Sequence, residues 1–263
     1  MTLPIPSQND KTTLADANYY SIDNNIIPDL SHGKWSLDSY VHLDPDLDRP
    51  LNQRIDGWRP ALGQTGAAQA HLANNGIGPG DVFLFFGWFK RAENKKGIWR
   101  YVRGAPDLHV IFGWLEIEKA LPIVTHRQTT LKGYPWIANH PHVADPNWYN
   151  NTLNTLYIAR EKSEFTTIPP HGGGRFTFYK PSLQLTKNGC SRSVWSLPRW
   201  FEPTKDKKAL SYHGDQKRWS IEGDQVTLKT AAKGQEFVID GSEYPEIESW
   251  AASIIREGIN EAM

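Results

Sequence analysis

The chain has 263 residues, and its 29 Lys plus Arg equal its 29 Asp plus Glu, so no global charge selects a nucleic-acid or membrane partner. A single cysteine, Cys190, excludes an internal disulfide framework and fits a reducing cytoplasm. The Met-Thr-Leu-Pro-Ile-Pro start has no signal-peptide character, and no run approaches the ~18 apolar residues that span a bilayer, so a cytoplasmic chain with no membrane partner is expected.

Residues 1–40 are polar, rich in Asn, Asp and Ser, and read as an irregular lead-in to a single domain over 1–263, with its core in 41–263. His42-Leu-Asp44-Pro-Asp46-Leu-Asp48 follows. In extended backbone the period of two puts His42, Asp44, Asp46 and Asp48 on one side, where an imidazole and carboxylates could ligate a divalent cation. The competing reading is a solvated turn held by Pro45 and Asx-type bonds.

A helix is expected from Thr65 or Gly66, rich in small residues and stopped by Gly76. Gln64, Gln69 and His71 are its polar groups, and their spacing prevents all three from facing one pocket. Two aromatic strands then echo each other, Val82-Phe-Leu-Phe-Phe-Gly-Trp88 and His109-Val-Ile-Phe-Gly-Trp114. Gly87 and Gly113 predict bulges or close approaches, each beside a tryptophan, so Trp88 and Trp114 are expected to wall a pocket at the rim of a barrel.

Between them, residues 90–108 carry Lys90, Arg91, Lys95, Lys96, Arg100 and Arg103 against Glu93 and Asp107, interleaved with Trp99 and Tyr101. Cations that follow a phosphate backbone, mixed with rings that stack on bases, suit a nucleic acid; a solvated hairpin with a blunted edge is the alternative. Residues 120–151 are expected as a long irregular segment holding His140-Pro-His142, two imidazoles in a defined relation that would join the acidic run near residue 44 in a metal site if the fold brings them together.

Further on, strands are expected at 153–159 and 176–179, a turn at His171-Gly-Gly-Gly-Arg175, a basic-aromatic patch at 192–201, and a hairpin of 225–228 with 235–240. Cys190 is expected as an inert loop residue. A final helix after Pro245 carries the stripe Ile247, Trp250, Ala251, Ile254 and Gly258.

Gly63-Gln64, Gly66-Ala-Ala-Gln69, Gly78-Pro-Gly-Asp-Val-Phe-Leu-Phe-Phe-Gly-Trp-Phe89, Asp107-Leu-His-Val-Ile-Phe-Gly-Trp114, His140-Pro-His142, Asn154-Thr-Leu-Tyr157 and Leu210-Ser-Tyr-His213 resemble the third family of nucleotide modification associated domains. The resemblance implies a bacterial or phage context of DNA modification, with DNA or a modified nucleotide as partner. It also implies a Ser-Arg-Lys-Gly-type stretch ahead of Leu3-Pro-Ile-Pro6 that is absent here, so an abbreviated or divergent start is expected. The strand pair is similar to that of PUA-like barrels, which implies an α+β fold: a mixed, mostly antiparallel barrel core with a few helices and long loops.

Two functions follow as expectations. In the first, a base stacks between Trp88 and Trp114, with Gln69 and the 90–103 cations binding nucleic acid and His109, Asp107, His71 and Gln64 as acid–base groups. In the second, the same pocket reads a modified base without chemistry. A third reading is a metal-dependent hydrolase using His42, Asp44, Asp46, His140 and His142, with a divalent metal as its cofactor.

Overall fold

The strand Asp107–Pro122 is the spine of the molecule, because its 16 residues are long enough to pair with three other strands. The computed structural model describes residues 5–7, 10–16, 23–47, 54–168, 171–231 and 236–259. In chain order these form β1 (Ile5–Pro6), β2 (Thr12–Thr13), α1 (Ile26–Leu30), β3 (Tyr40–His42), β4 (Ala61–Thr65), α2 (Gly66–Asn74), β5 (Val82–Lys90), β6 (Ala92–Lys95), β7 (Ile98–Tyr101) and the spine, β8. Then come α3 (Ile123–Gly133), α4 (Pro141–Ala144), α5 (Pro146–Tyr149), β9 (Asn154–Ala159), β10 (Gly173–Arg175), β11 (Val194–Pro198), β12 (Trp219–Glu222), β13 (Gln225–Lys229) and α6 (Ile247–Ile259).

The architecture is mixed α+β with mostly antiparallel sheets. The main sheet runs β10-β8-β9-β4, and β5 also pairs with β8. Phe85 faces Gly113 while Phe86 faces Ile111, so Phe112 is the extra residue of a bulge. Gly113 is required there, because an added Cβ would lie 2.7 Å from the Gly174 carbonyl oxygen and 2.8 Å from Leu47 Cδ1. On one face of the sheet, Trp114, Val110 and Ile111 pack with Phe176, Trp195, Val226 and Ile254, which ties the β11-β13-β12 sheet and α6 to the spine. On another, Leu115, Ile117, Leu62 and Tyr157 bury Leu72 of α2.

Several sequence expectations change. Within 120–151 the chain is helical: β8 continues to Pro122, and α3, a 3-10 turn at Pro135–Asn139, α4 and α5 follow. Here prolines stand at N-terminal helix positions, where a missing N–H costs nothing, rather than breaking structure. The expected turn at 171–175 contains a strand, β10, because Gly172, Gly173 and Gly174 lack side chains and can approach β8 closely. Phe176 to Tyr179 is not a strand. β13 pairs with β11 and β12 rather than with 236–240, so the expected closing hairpin is not formed. The lead-in is partly ordered: β1 and β2 pair on both sides of β3, and α1 packs Ile26 and Ile27 against Val41 and Trp99.

Candidate metal centre

β3 ends at His42, and two residues later Asp44 runs beside the edge of β4, with an isolated bridge between Asp46 and Ala61 fixing the register. That register puts the Gly63 N–H on Asp44 Oδ1 at 2.8 Å. The side chain of Asp44 is 10% exposed and is surrounded by three imidazoles. His142 Nε2 lies 3.4 Å from Oδ2, His42 Nε2 4.0 Å from Oδ2, and His140 Nε2 3.5 Å from Oδ1. His140 and His142 flank Pro141, which opens α4.

The outer nitrogen of each ring has its own partner, and those partners assign the tautomers. The Asn154 amide donates to the carbonyls of His142 and Trp148 at 2.8 and 3.0 Å, so its oxygen must face His142 Nδ1, 2.9 Å away. His142 Nδ1 therefore carries a proton, and in the neutral ring Nε2 is a lone pair aimed at Asp44. His42 is built the same way, with Nδ1 2.9 Å from the buried Asp10 carboxylate. His140 is reversed: its Nδ1 accepts from the His142 backbone N–H at 3.3 Å, so the neutral ring carries its proton on Nε2. That Nε2 is buried without a hydrogen-bond partner and faces Asp44.

Ligand atoms of His42, Asp44 and His142 all lie within 4.8 Å of one another. Metal bonds of about 2.0–2.1 Å put neighbouring ligand atoms about 3.3 Å apart in a tetrahedron, so the 3.4 and 4.0 Å spacings need only small adjustment. Burial would raise the Asp44 carboxyl, but the imidazoles of His140 and His142 facing it outweigh that and hold the group well below the ordinary carboxylate range. Burial likewise works against charge on His142, and Asp44 outweighs it and raises that imidazole.

Two neighbours shape the site. A Cβ on Gly63 would sit 2.2 Å from His142 Cγ, so only glycine leaves room for the ring. The Trp148 indole stacks on His142 with centroids 5.2 Å apart and also meets His42 at 5.2 Å. Asp46 stands outside the cluster: Arg54 grips both its oxygens and Trp58 Nε1 donates to it. Asp48 lies outside the described residues.

The other expected groups do not converge. Trp114 is fully buried and stacked on Phe176, whereas Trp88 is 67% exposed with Arg192 4.1 Å above its ring. They cannot share a pocket wall, since Trp88 pairs with His109 and Trp114 with Leu84 along the strands. Asp107 accepts from Trp88 Nε1 at 2.9 Å, which lowers its pKa, and lies 3.5 Å from Lys90. His109 accepts from Trp195 Nε1 through Nδ1 at 3.0 Å and packs on Phe86; burial, then the Arg192 charge, lowers its pKa to about 4.

Gln69 is buried and accepts from Tyr157, away from Gln64 and His71. Of the hairpin groups, Trp99 docks on Asp23 and Asp29, Arg100 pairs with Glu93, and Arg91, Tyr101 and Arg103 are exposed. Sequence reasoning did not single out Asp10, Gly63, Asn154 or Trp148 as site residues. Gly63 and Asn154 stood within motifs that carried the family resemblance, while Asp10 offered no signal in a polar lead-in.

Among the described residues no helix is long and apolar enough to cross a membrane. No curated protein and no solved structure matches the chain. The family model described as Nucleotide modification associated domain 3 matches residues 1–240, and the chain belongs to that family.

Proposed function

We propose that the chain is a metal-dependent enzyme that modifies a nucleobase or nucleotide, with His42, Asp44 and His142 as the metal ligands. The observation that carries this reading is the convergence of two imidazole Nε2 atoms on one buried carboxylate, each ring held through Nδ1 by its own acceptor. Outer partners of this kind orient metal-bound histidines and raise their basicity. Two imidazoles and one carboxylate leave coordination positions open to water and substrate. A bound divalent ion would supply Lewis acidity and a water of lowered pKa.

The residues of the chain divide the work. Asp10 and Asn154 hold the two ligand rings, the Gly63 N–H fixes one oxygen of Asp44, and His140 stands ready to donate to Asp44 through Nε2. His140 is accordingly a positioning residue, because its lone-pair nitrogen is already occupied by the His142 backbone. The family description, nucleotide modification, supports the substrate class.

Elemental analysis of the purified protein tests the ligand set. One bound transition metal per chain is expected, lost in Asp44→Ala, and a metal-free parent that gains none on incubation with zinc, iron or manganese would sink the proposal. Zinc would direct the chemistry towards hydrolysis and iron towards oxidation. Nucleoside mass spectrometry of DNA from cells expressing the parent or Asp44→Ala then tests catalysis.

A further inference from the structure

On the opposite side of β4 from the metal ligands, three chain segments meet around an exposed ring. Tyr212 has φ of +67°, a left-handed conformation that glycine, asparagine and aspartate tolerate and a tyrosine rarely adopts. The neighbours on both sides enforce it. Ser211 donates its N–H to the Val238 carbonyl and accepts the Val238 N–H on Oγ, both at 2.8 Å, and His71 Nε2 lies 3.1 Å from the same Oγ. His213 bonds the Ser211 carbonyl through Nδ1 at 2.7 Å and accepts from Ala231 through Nε2 at 2.9 Å, which locks the next residue.

The result is a Tyr212 ring stacked on His71, centroids 4.4 Å and planes 28° apart, with 49% of the tyrosine still exposed. Strain held by this many bonds in order to present an apolar face outward is a feature of binding sites. Beside it, Gln64 Nε2 donates to Glu236 Oε1 at 3.3 Å, and Phe237, the next residue, meets Tyr212 at 6.4 Å. Gln64 is fixed in orientation, since its oxygen accepts from the Thr65 N–H at 3.1 Å.

We propose that His71, Tyr212, Gln64 and Glu236 form a nucleobase-binding site, with the base stacked on Tyr212 and its edge read by the amide and the carboxylate. The ring supplies stacking, which any base accepts. The edge groups add a directed pair: a carboxylate accepts from an N–H of the base edge, as from cytosine N4, and an amide side chain donates to the neighbouring ring nitrogen or carbonyl oxygen. Every base presents a donor beside an acceptor, thymine through N3–H and O4 as cytosine through N4 and N3, so the pair holds a base edge without choosing among the bases. The site rests on the nucleotide-modification reading of the family and not on the metal centre.

Equilibrium titration of the full chain with dAMP, dCMP and dTMP tests it. Each should bind about ten-fold more tightly than deoxyribose 5-phosphate, which has no base to stack. Tyr212→Phe should match the parent, and Tyr212→Gly should bind about ten-fold more weakly while melting at the same or a higher temperature, because glycine removes the strain. Should Tyr212→Gly melt lower, Glu236→Ala decides, and all three nucleotides should then bind about ten-fold more weakly than to the parent. No binding of any of the three by the parent, binding no tighter than that of deoxyribose 5-phosphate, unchanged binding in Tyr212→Gly, or unchanged binding in Glu236→Ala would each overturn the site. Tyr212→Gly should keep the parent's metal content, so failure of the metal reading and failure of this one are separate results.

Discussion

At the His42–Asp44–His142 cluster and at the Asp107–His109 end of β8, histidines stand near carboxylates, yet their ring nitrogens are used in opposite ways. In the first region Asp10 and Asn154 accept from Nδ1, and the Nε2 lone pairs turn inward on a shared carboxylate. In the second, Nδ1 of His109 is itself the acceptor, for the Trp195 indole, and the ring is packed against Phe86 with Arg192 as its charged neighbour. Asp107 is occupied elsewhere, by Trp88 and Lys90. The residue types are alike in both places. What differs is the partner of the far nitrogen, and that decides whether an imidazole is presented to a ligand or retained as packing.

The sharpest way to break this comparison is to remove the room for one ring. Gly63→Ala places a methyl 2.2 Å from His142 Cγ, so the ring must move. Metal affinity is expected to fall beyond the roughly 100-fold that outer partners command, with about 1–3 kcal/mol of stability lost to overpacking; isothermal titration and thermal melting read the two. Asn154→Ala is milder, since it releases His142 without displacing it. A loss of about 10- to 100-fold in metal affinity is expected, and unaltered affinity would show that the ring needs no orienting partner.

The smallest effect lies in the second region and sharpens the contrast. His109 has a folded pKa near 4, below its ordinary 6.5. The unfolded chain therefore binds more protons than the folded one between those values. Stability attributable to His109 is fully present above about pH 6.5 and is lost as pH falls towards 4. His109→Gln does not titrate, so its denaturation midpoint should fall less steeply than the parent's across that window, while metal content stays the same. A metal-depleted His109→Gln protein would unite the two regions and refute the division drawn here.

Much of the local structure was legible from residue order. The helix after Thr65 stopped by Gly76, the aromatic strands of the Phe-Gly-Trp echo, the close approach at Gly113 and the final apolar stripe all depend on short-range periodicity and backbone freedom, and all occur. His42 and Asp44, and separately His140 and His142, could be marked as ligand types from their spacing alone. The sequence could not establish that they meet. Roughly a hundred residues separate the pairs, and their meeting depends on the Asp46–Ala61 bridge and the β4–β9 pairing that carry Asp44 and Asn154 to one place. Packing on Phe176 buried Trp114 and the β5–β8 pairing left Trp88 exposed, while Arg54, eight residues along the chain, took Asp46. Period-two and period-3.6 patterns state which side of an element a residue takes; only packing of distant elements determines what stands opposite.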